Sequence, residues 1–286
     1  MRSRLSLLLL SLAFLSFSCS KREDAPPVSE GVKLELKLKQ GDSYILSTDI
    51  NQKIEMSMNG QKMNMDQVMH FEVGMNVKEV KPGGNAVTEN TFERMSMKQS
   101  MKGPMDGEIE IDTKGDVKKG MMSELLLEQF KKIVGLKYTI EFDKQGNIRT
   151  TNIGEIMSKL APRGGKNIEE SMNGSTVPFP LKPVKIGETW KGDVDKDLAG
   201  TVAKISSTYM LKEIKGDVAT ITVEGKINKM PEAKEIGTMS GTFDIELLTG
   251  WTSVANIKMK MDVEADQSGT KIPMKVDTDM KITSTK

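Results

Sequence analysis

Tyr44–Val77 reads YILSTDINQKIEMSMNGQKMNMDQVMHFEVGMNV, and this stretch decides the fold. Asn59-Gly60 is the strongest short hairpin signal, because a two-residue type I′ turn needs positive φ at both central positions. With that dipeptide at the turn, Tyr44 faces Met75, Leu46 faces Val73, Thr48 faces Phe71 and Ile50 faces Met69. Nearer the turn, Gln52 faces Gln67, Ile54 faces Met65 and Met56 faces Met63. Even positions on the first arm and odd ones on the second therefore make one nearly continuous apolar face. On the other face Lys53 opposes Asp66, Asp49 opposes His70 and Glu55 opposes Asn64, which is the charge matching expected of a wet sheet surface. Arms of this length run about 50 Å at ~3.4 Å per residue, so the sheet must twist and curl around something.

Part of that unit recurs. Lys39-Gln40-Gly41-Asp42-Ser43-Tyr44 is echoed by Lys185-Ile186-Gly187-Glu188-Thr189-Trp190. Val77-Lys78-Glu79-Val80-Lys81 and Gly107-Glu108-Ile109-Glu110-Ile111 are echoed by Leu211-Lys212-Glu213-Ile214-Lys215 and Gly241-Thr242-Phe243-Asp244-Ile245, both at an offset of 134. The phase of alternation is kept in each case, so an internal duplication is expected. The opening hairpin of the second copy should be about a dozen residues shorter.

The fold class expected is mainly β: two tandem, strongly curved antiparallel sheets, half-barrel or sandwich-like, with one or two short helices. Residues 32–162 form the first unit, residues 163–183 a Pro- and Gly-containing linker, and residues 184–286 the second unit. Within the first unit, strands are expected near Ala86–Met97 and Gly107–Asp112. A helix follows over residues 123–134, capped by Ser123 and stopped at Gly135. Leu136, Tyr138, Ile140 and Phe142 alternate as a strand, and a short helix is expected over Ile153–Leu160. In the second unit, Met239 to Leu247 alternate up to a Leu248-Thr249-Gly250 loop. Pro273 directs the early part of the last strand to a sheet edge.

Residues 1–18 read as a signal peptide: Arg2 and Arg4, then an apolar run from Leu5 to Phe17 too short to span a bilayer as an ordinary helix. Cys19, the single cysteine, follows that run, and the arrangement resembles a bacterial lipobox. Its cysteine would carry acyl chains and begin the mature protein; ordinary signal cleavage leaving an idle thiol is the alternative. Residues 19–31 would be the tether of the lipid anchor. Ser20 after the cysteine favours the outer membrane by the rule seen in lipoproteins.

Of the 41 basic residues only Arg2 and Arg4 fall in the signal, so the rest nearly balances the 40 acidic ones. With the signs interspersed, nothing marks a nucleic-acid partner. One histidine and a lone cysteine remove Cys/His nucleophiles and histidine-rich zinc sites. No cofactor and no resident metal are implied. Asp106, Glu108, Glu110 and Asp112 line one side of a strand, either as a solvated face or as hard oxygen ligands for Ca²⁺.

Methionine is abundant, with 22 residues. The thioethers serve as a packed core, as a pliable cavity for an apolar ligand, or as soft Cu(I) ligands. The residues placed on the apolar face as ligand candidates are Ile54, Met56, Met63, Met65, Met69 and Phe71.

Pro180-Leu181-Lys182-Pro183-Val184-Lys185-Ile186-Gly187-Glu188-Thr189-Trp190, together with Lys39–Tyr44, resembles a family of bacterial, Bacteroidota-like lipoproteins of unassigned function. The resemblance implies a lipid-anchored envelope protein and brings no catalytic residue. At the level of fold, curved antiparallel sheets with a covering helix are similar to the half-barrels of periplasmic lipid carriers. Three functions follow: a non-enzymatic binding or interaction module meeting an envelope protein, a carrier of a lipid or other apolar ligand in a Met-lined cavity, and a carboxylate-dependent hydrolase near Asp49 and His70.

Overall fold

The computed structural model describes residues 31–58, 60–103, 106–160, 176–198, 201–267 and 270–286. Among them the strands are β1 (Ser43–Met58), β2 (Gln61–Val80), β3 (Ala86–Lys102), β4 (Gly107–Asp112), β5 (Val117–Lys119), β6 (Lys137–Phe142) and β7 (Ile148–Thr151). They continue as β8 (Thr189–Leu198), β9 (Thr201–Lys215), β10 (Val218–Lys229), β11 (Lys234–Glu246), β12 (Thr252–Gln267) and β13 (Thr270–Thr285). Helix α1 spans Ser123–Ile133 and α2 spans Ile153–Leu160. The signal, Cys19, Asn59 and most of the linker lie outside the described residues.

The opening hairpin has the register read from its letters. Tyr44 pairs with Met75, Ile50 with Met69, Ile54 with Met65, Met56 with Met63 and Asp49 with His70. Met58 pairs with Gln61, and Gly60 has φ +80°, as a two-residue turn demands.

The expectation of two separate sheets is corrected. All thirteen strands form one antiparallel sheet, in the order β5-β4-β3-β2-β1-β13-β12-β11-β10-β9-β8, with β6 and β7 branching from β3. The two ends of that path do not pair, so the sheet stays open. The join is between the first and last long strands: Ile54 lies beside Val276, Ile50 beside Met280, Lys53 beside Asp277 and Asp49 beside Lys281. Left apart, β1 and β13 would each present a long unpaired edge. Paired, they match apolar to apolar on one face and opposite charges on the other. Pro273 sits one residue before the β1 ladder begins at Met274, where β13 has only β12 as neighbour.

The two echoed motifs make the same turn. Gly41 N–H donates to the Val77 carbonyl at 2.9 Å, and Gly187 N–H to the Leu211 carbonyl at 2.8 Å. Lys39 N–H meets the Asp42 carboxylate at 2.9 Å, and Lys185 N–H meets that of Glu188 at 2.8 Å. The pairs that follow, Tyr44 with Met75 and Trp190 with Tyr209, hold corresponding places.

Close approach of neighbouring strands is permitted where side chains are missing. Gly225, Gly237 and Gly241 lie on neighbouring strands, and a Cβ on Gly237 or Gly241 would press on the backbone of β12. The sheet is covered in two places. Leu211, Ile221, Phe243, Ile245 and Ala255 pack with Leu34, Val177, Phe179 and Val184 in the second half. Tyr44, Met75, Val77, Tyr138, Phe142, Ile153 and Trp251 pack with Leu36 and Leu38 in the first. Leu34, Leu36 and Leu38 thus belong to a strap that joins both cores. It is held by Leu36 N–H on the Lys144 carbonyl at 2.8 Å and Lys37 N–H on the Thr249 carbonyl at 2.7 Å.

Smaller features depart from expectation. Ser123 does not cap α1; its hydroxyl donates to the Gly120 carbonyl at 2.8 Å, and Met122 is the capping residue with φ +64°. Gly135 ends the helix with φ +86°, as the sequence requires. The loop before Trp251 closes over four residues, with Glu246 N–H on the Trp251 carbonyl at 2.9 Å, and Gly250 takes the left-handed conformation at φ +68°.

Candidate functional site

The apolar side of the sheet is continuous across the join. One row runs Met101, Met65, Ile54, Val276, Met261 and a parallel one runs Met95, Phe71, Thr48, Ile282, Ala255. Between them lies a polar row. Gln52 donates to the Thr278 hydroxyl at 3.2 Å, and Gln67 donates to Gln99 at 3.3 Å and to the Met97 sulfur at 3.1 Å.

The ligand candidates fall into different surroundings. Met69 packs with Met97, Ile111 and Leu127 beneath α1, and Met63 is buried at 5% exposure. Ile54, Met56, Met65 and Phe71 are half-buried and belong to none of the packed clusters among the described residues. Met56 also lines a cavity of ≈ 850 Å³ at the hairpin-tip end of the sheet, together with Val263, Met274 and Ile236. Those last three come from the other half of the chain. Their alternation is readable in the letters, but their place beside Met56 follows only from the β1–β13 pairing. The same cavity is lined by Lys229 and Lys234, which sequence reasoning passed over.

The opposite face carries a line of charges. The His70 ring holds Asp49 through Nδ1 at 2.7 Å and Glu72 through Nε2 at 3.1 Å. Arg94 donates to both oxygens of Asp112, at 3.1 and 2.6 Å, and reaches Glu72 at 3.4 Å. Both ring nitrogens are thereby taken by carboxylates, so neither is turned to Ser96, the register partner of His70 on β3. Arg94 holds Asp112 below the usual carboxylate range, and His70 does the same for Glu72. In the carboxylate row each acid has a partner: Asp106 accepts the Gly103 N–H, Glu108 meets Lys119, Glu110 meets Lys98 and Asp112 meets Arg94. These pairs account for the row as a solvated face.

Burial pulls the His70 imidazole down, but hydrogen bonds to Asp49 and Glu72 outweigh it and hold the group above its ordinary value. A raised folded-state value means that the stabilisation is complete below the unfolded value of about 6.5 and fades as pH rises through the folded one. His70→Gln should therefore cost under about 1 kcal/mol near pH 5.5, because Asp49 is half exposed. The difference between the two proteins should shrink as pH rises through the raised folded-state value. Urea melts from pH 5.5 upward test this, and a pH-independent gap would contradict a charged role for the ring.

Residues 161–280 match a family described as a family of unknown function, DUF6263. That stretch includes Pro180–Trp190 and most of the second set of strands. No curated protein matches the chain. Among solved structures, the chain is similar to one titled for lipid–protein interactions in lipovitellin, with TM-score 0.53 and 9% identity. The likeness covers 87% of this chain and 25% of that one, so the chain spans a quarter of the lipovitellin chain. It is a likeness of fold. Two more distant resemblances carry no argument. They are the translocator domain of the autotransporter NalP from Neisseria meningitidis (TM-score 0.28, 7% identity, 86% and 89% covered) and a DUF1329 family protein from Desulfovibrio piger (0.15, 8%, 84% and 83%). Among the described residues no helix is long and apolar enough to cross a membrane.

Proposed function

We propose that this chain is a cell-envelope binding protein that holds an apolar chain on the inner face of its curled sheet. The observation that carries the reading is that Ile54, Met56, Met65 and Phe71 line that face half-buried, without a packed partner layer. An apolar face of that size left to water is costly at about 25 cal/mol per Å², and an apolar occupant removes the cost. Methionine suits such a surface because its unbranched thioether repacks around chains of different shape. The lipovitellin fold, in a structure described for lipid–protein interactions, lends the reading support at the level of architecture.

The rest of the reading comes from the letters. Residues 1–18 direct export, Cys19 carries acyl chains, and residues 19–31 hold the body off a membrane, the outer one by the lipoprotein rule. The two halves are copies of one unit, a reading supported by the matching turns at Gly41 and Gly187. An interaction module meeting an envelope protein is the reading that survives if the inner face binds nothing.

Native mass spectrometry on the full chain carrying Cys19→Ser, which removes only the acyl attachment point, tests the proposal. The expected spectrum contains, besides the bare protein, a population heavier by one apolar molecule that organic extraction removes. A bare mass in every preparation, unchanged on adding oleate or phospholipid, would overturn it.

A further inference from the structure

We infer that Lys229 and Lys234 form the seat for the acidic head group of a single-chain amphiphile whose tail lies along the methionine-lined inner face. This rests on the reading of that face as an apolar-ligand site and adds the chemical class of ligand.

Lys229 and Lys234 are directly paired across β10 and β11. Two ammonium groups set opposite one another in an antiparallel ladder repel, and an anion seated between them would relieve that repulsion. The turn supplies little: Glu232 approaches Lys229 at 3.7 Å from an exposed position. The Lys234 ammonium has no ion pair or hydrogen bond among the described residues. Strand alternation gives the side. Lys229 shares the face of Ile227, which is fully buried against Ala203, Ile205 and Ile236. The pair therefore stands at the end of the apolar face, where both residues line the ≈ 850 Å³ cavity with Met56, Val263 and Met274.

Glu55, Asp262 and Glu264 also line the cavity, as do Lys62 and Lys275. Strand alternation puts the three acids on the other side of the sheet from Met56 and Val263, where Lys275 lies across from both Glu55 and Asp262. On the side of Met56, Val263 and Met274 the cavity thus presents two paired lysines beside a thioether floor. Its volume lies within the roughly 300–1,000 Å³ usual for small-molecule sites. That division suits a carboxylate or phosphate joined to one alkyl chain: the head gains charge-assisted hydrogen bonds and the tail gains burial.

The test is displacement of a fluorescent fatty acid from the full chain carrying Cys19→Ser, using oleate, oleyl alcohol, dodecyl phosphate and inorganic phosphate as competitors. Oleate and dodecyl phosphate should displace the probe at concentrations about tenfold or more below oleyl alcohol, a preference that weakens with salt. Lys229→Gln with Lys234→Gln should bring acid and alcohol to the same affinity. Its melting temperature should not fall, since the change removes two like charges that face one another across the ladder. Equal binding of oleate and oleyl alcohol by the unmodified lysines would overturn the head-group seat while leaving the apolar site standing. Displacement by inorganic phosphate as effective as by dodecyl phosphate would overturn the amphiphile in favour of a simple anion. If no alkyl competitor binds at all, the proposed function itself fails.

Discussion

Gly250→Val, at a buried loop position, is expected to lower stability by about 4 kcal/mol. Gly250 has φ +68°, a conformation that a β-branched residue adopts at a cost of about 1–3 kcal/mol. The greater part of the loss comes from what the new side chain meets. A Cβ there would overlap the Glu35 carbonyl oxygen and press on the Leu36 Cα at 2.8 Å. Glu35 and Leu36 belong to the strap that puts Leu34 into one core and Leu36 and Leu38 into the other, all three under 7% exposed. Lifting it releases the Lys37–Thr249 hydrogen bond and exposes part of that leucine surface, each leucine contributing about 1.5–3 kcal/mol when buried. For a chain of this size the melting temperature should fall by about 10 °C. Gly41→Ala is the control. Its φ is +90° but its Cβ would meet nothing within 4 Å, so only the conformational cost of about 1 kcal/mol applies. Equal losses at the two glycines would show that the strap does not hold the halves together.

Much of this fold is legible in the letters because its longest element advertises its own register. Asn59-Gly60 and strict alternation fix every pair from Tyr44–Met75 to Met56–Met63, and a slip of one residue would turn the methionines to water. The pairing of β1 with β13 left no comparable local signal. Ile54 and Val276 are far apart in sequence, and each strand reads equally well as an edge. The tandem reading therefore missed the seam that makes one sheet. The strap was missed for a different reason: Lys33-Leu34-Glu35-Leu36-Lys37-Leu38 alternates as a strand does, yet it packs mostly without a ladder, through a single bridge between Val32 and Val184. Ser123 shows the limit of capping rules, since a hydroxyl in the right place bonded backward to Gly120 instead. As for the site, Met56 and Met65 were visible as an apolar stripe. The Lys229–Lys234 pair depends on the turn Met230–Ala233, which contains no dipeptide that fixes a register.

Peroxide oxidation of the methionines, followed residue by residue with peptide mass spectrometry, tests the central claim that the inner face is an open binding surface and not a packed core. Sulfoxide formation tracks access to the thioether, and the chain supplies its own standards. Met121 is 85% exposed and Met75 is 1% exposed. Met56, Met65 and Met274 should oxidise about tenfold or more faster than Met75 in protein stripped of apolar ligand, approaching Met121. Adding oleate should slow those three and leave Met121 unchanged. If Met56, Met65 and Met274 react as slowly as Met75 with or without oleate, the face is closed and the account is wrong.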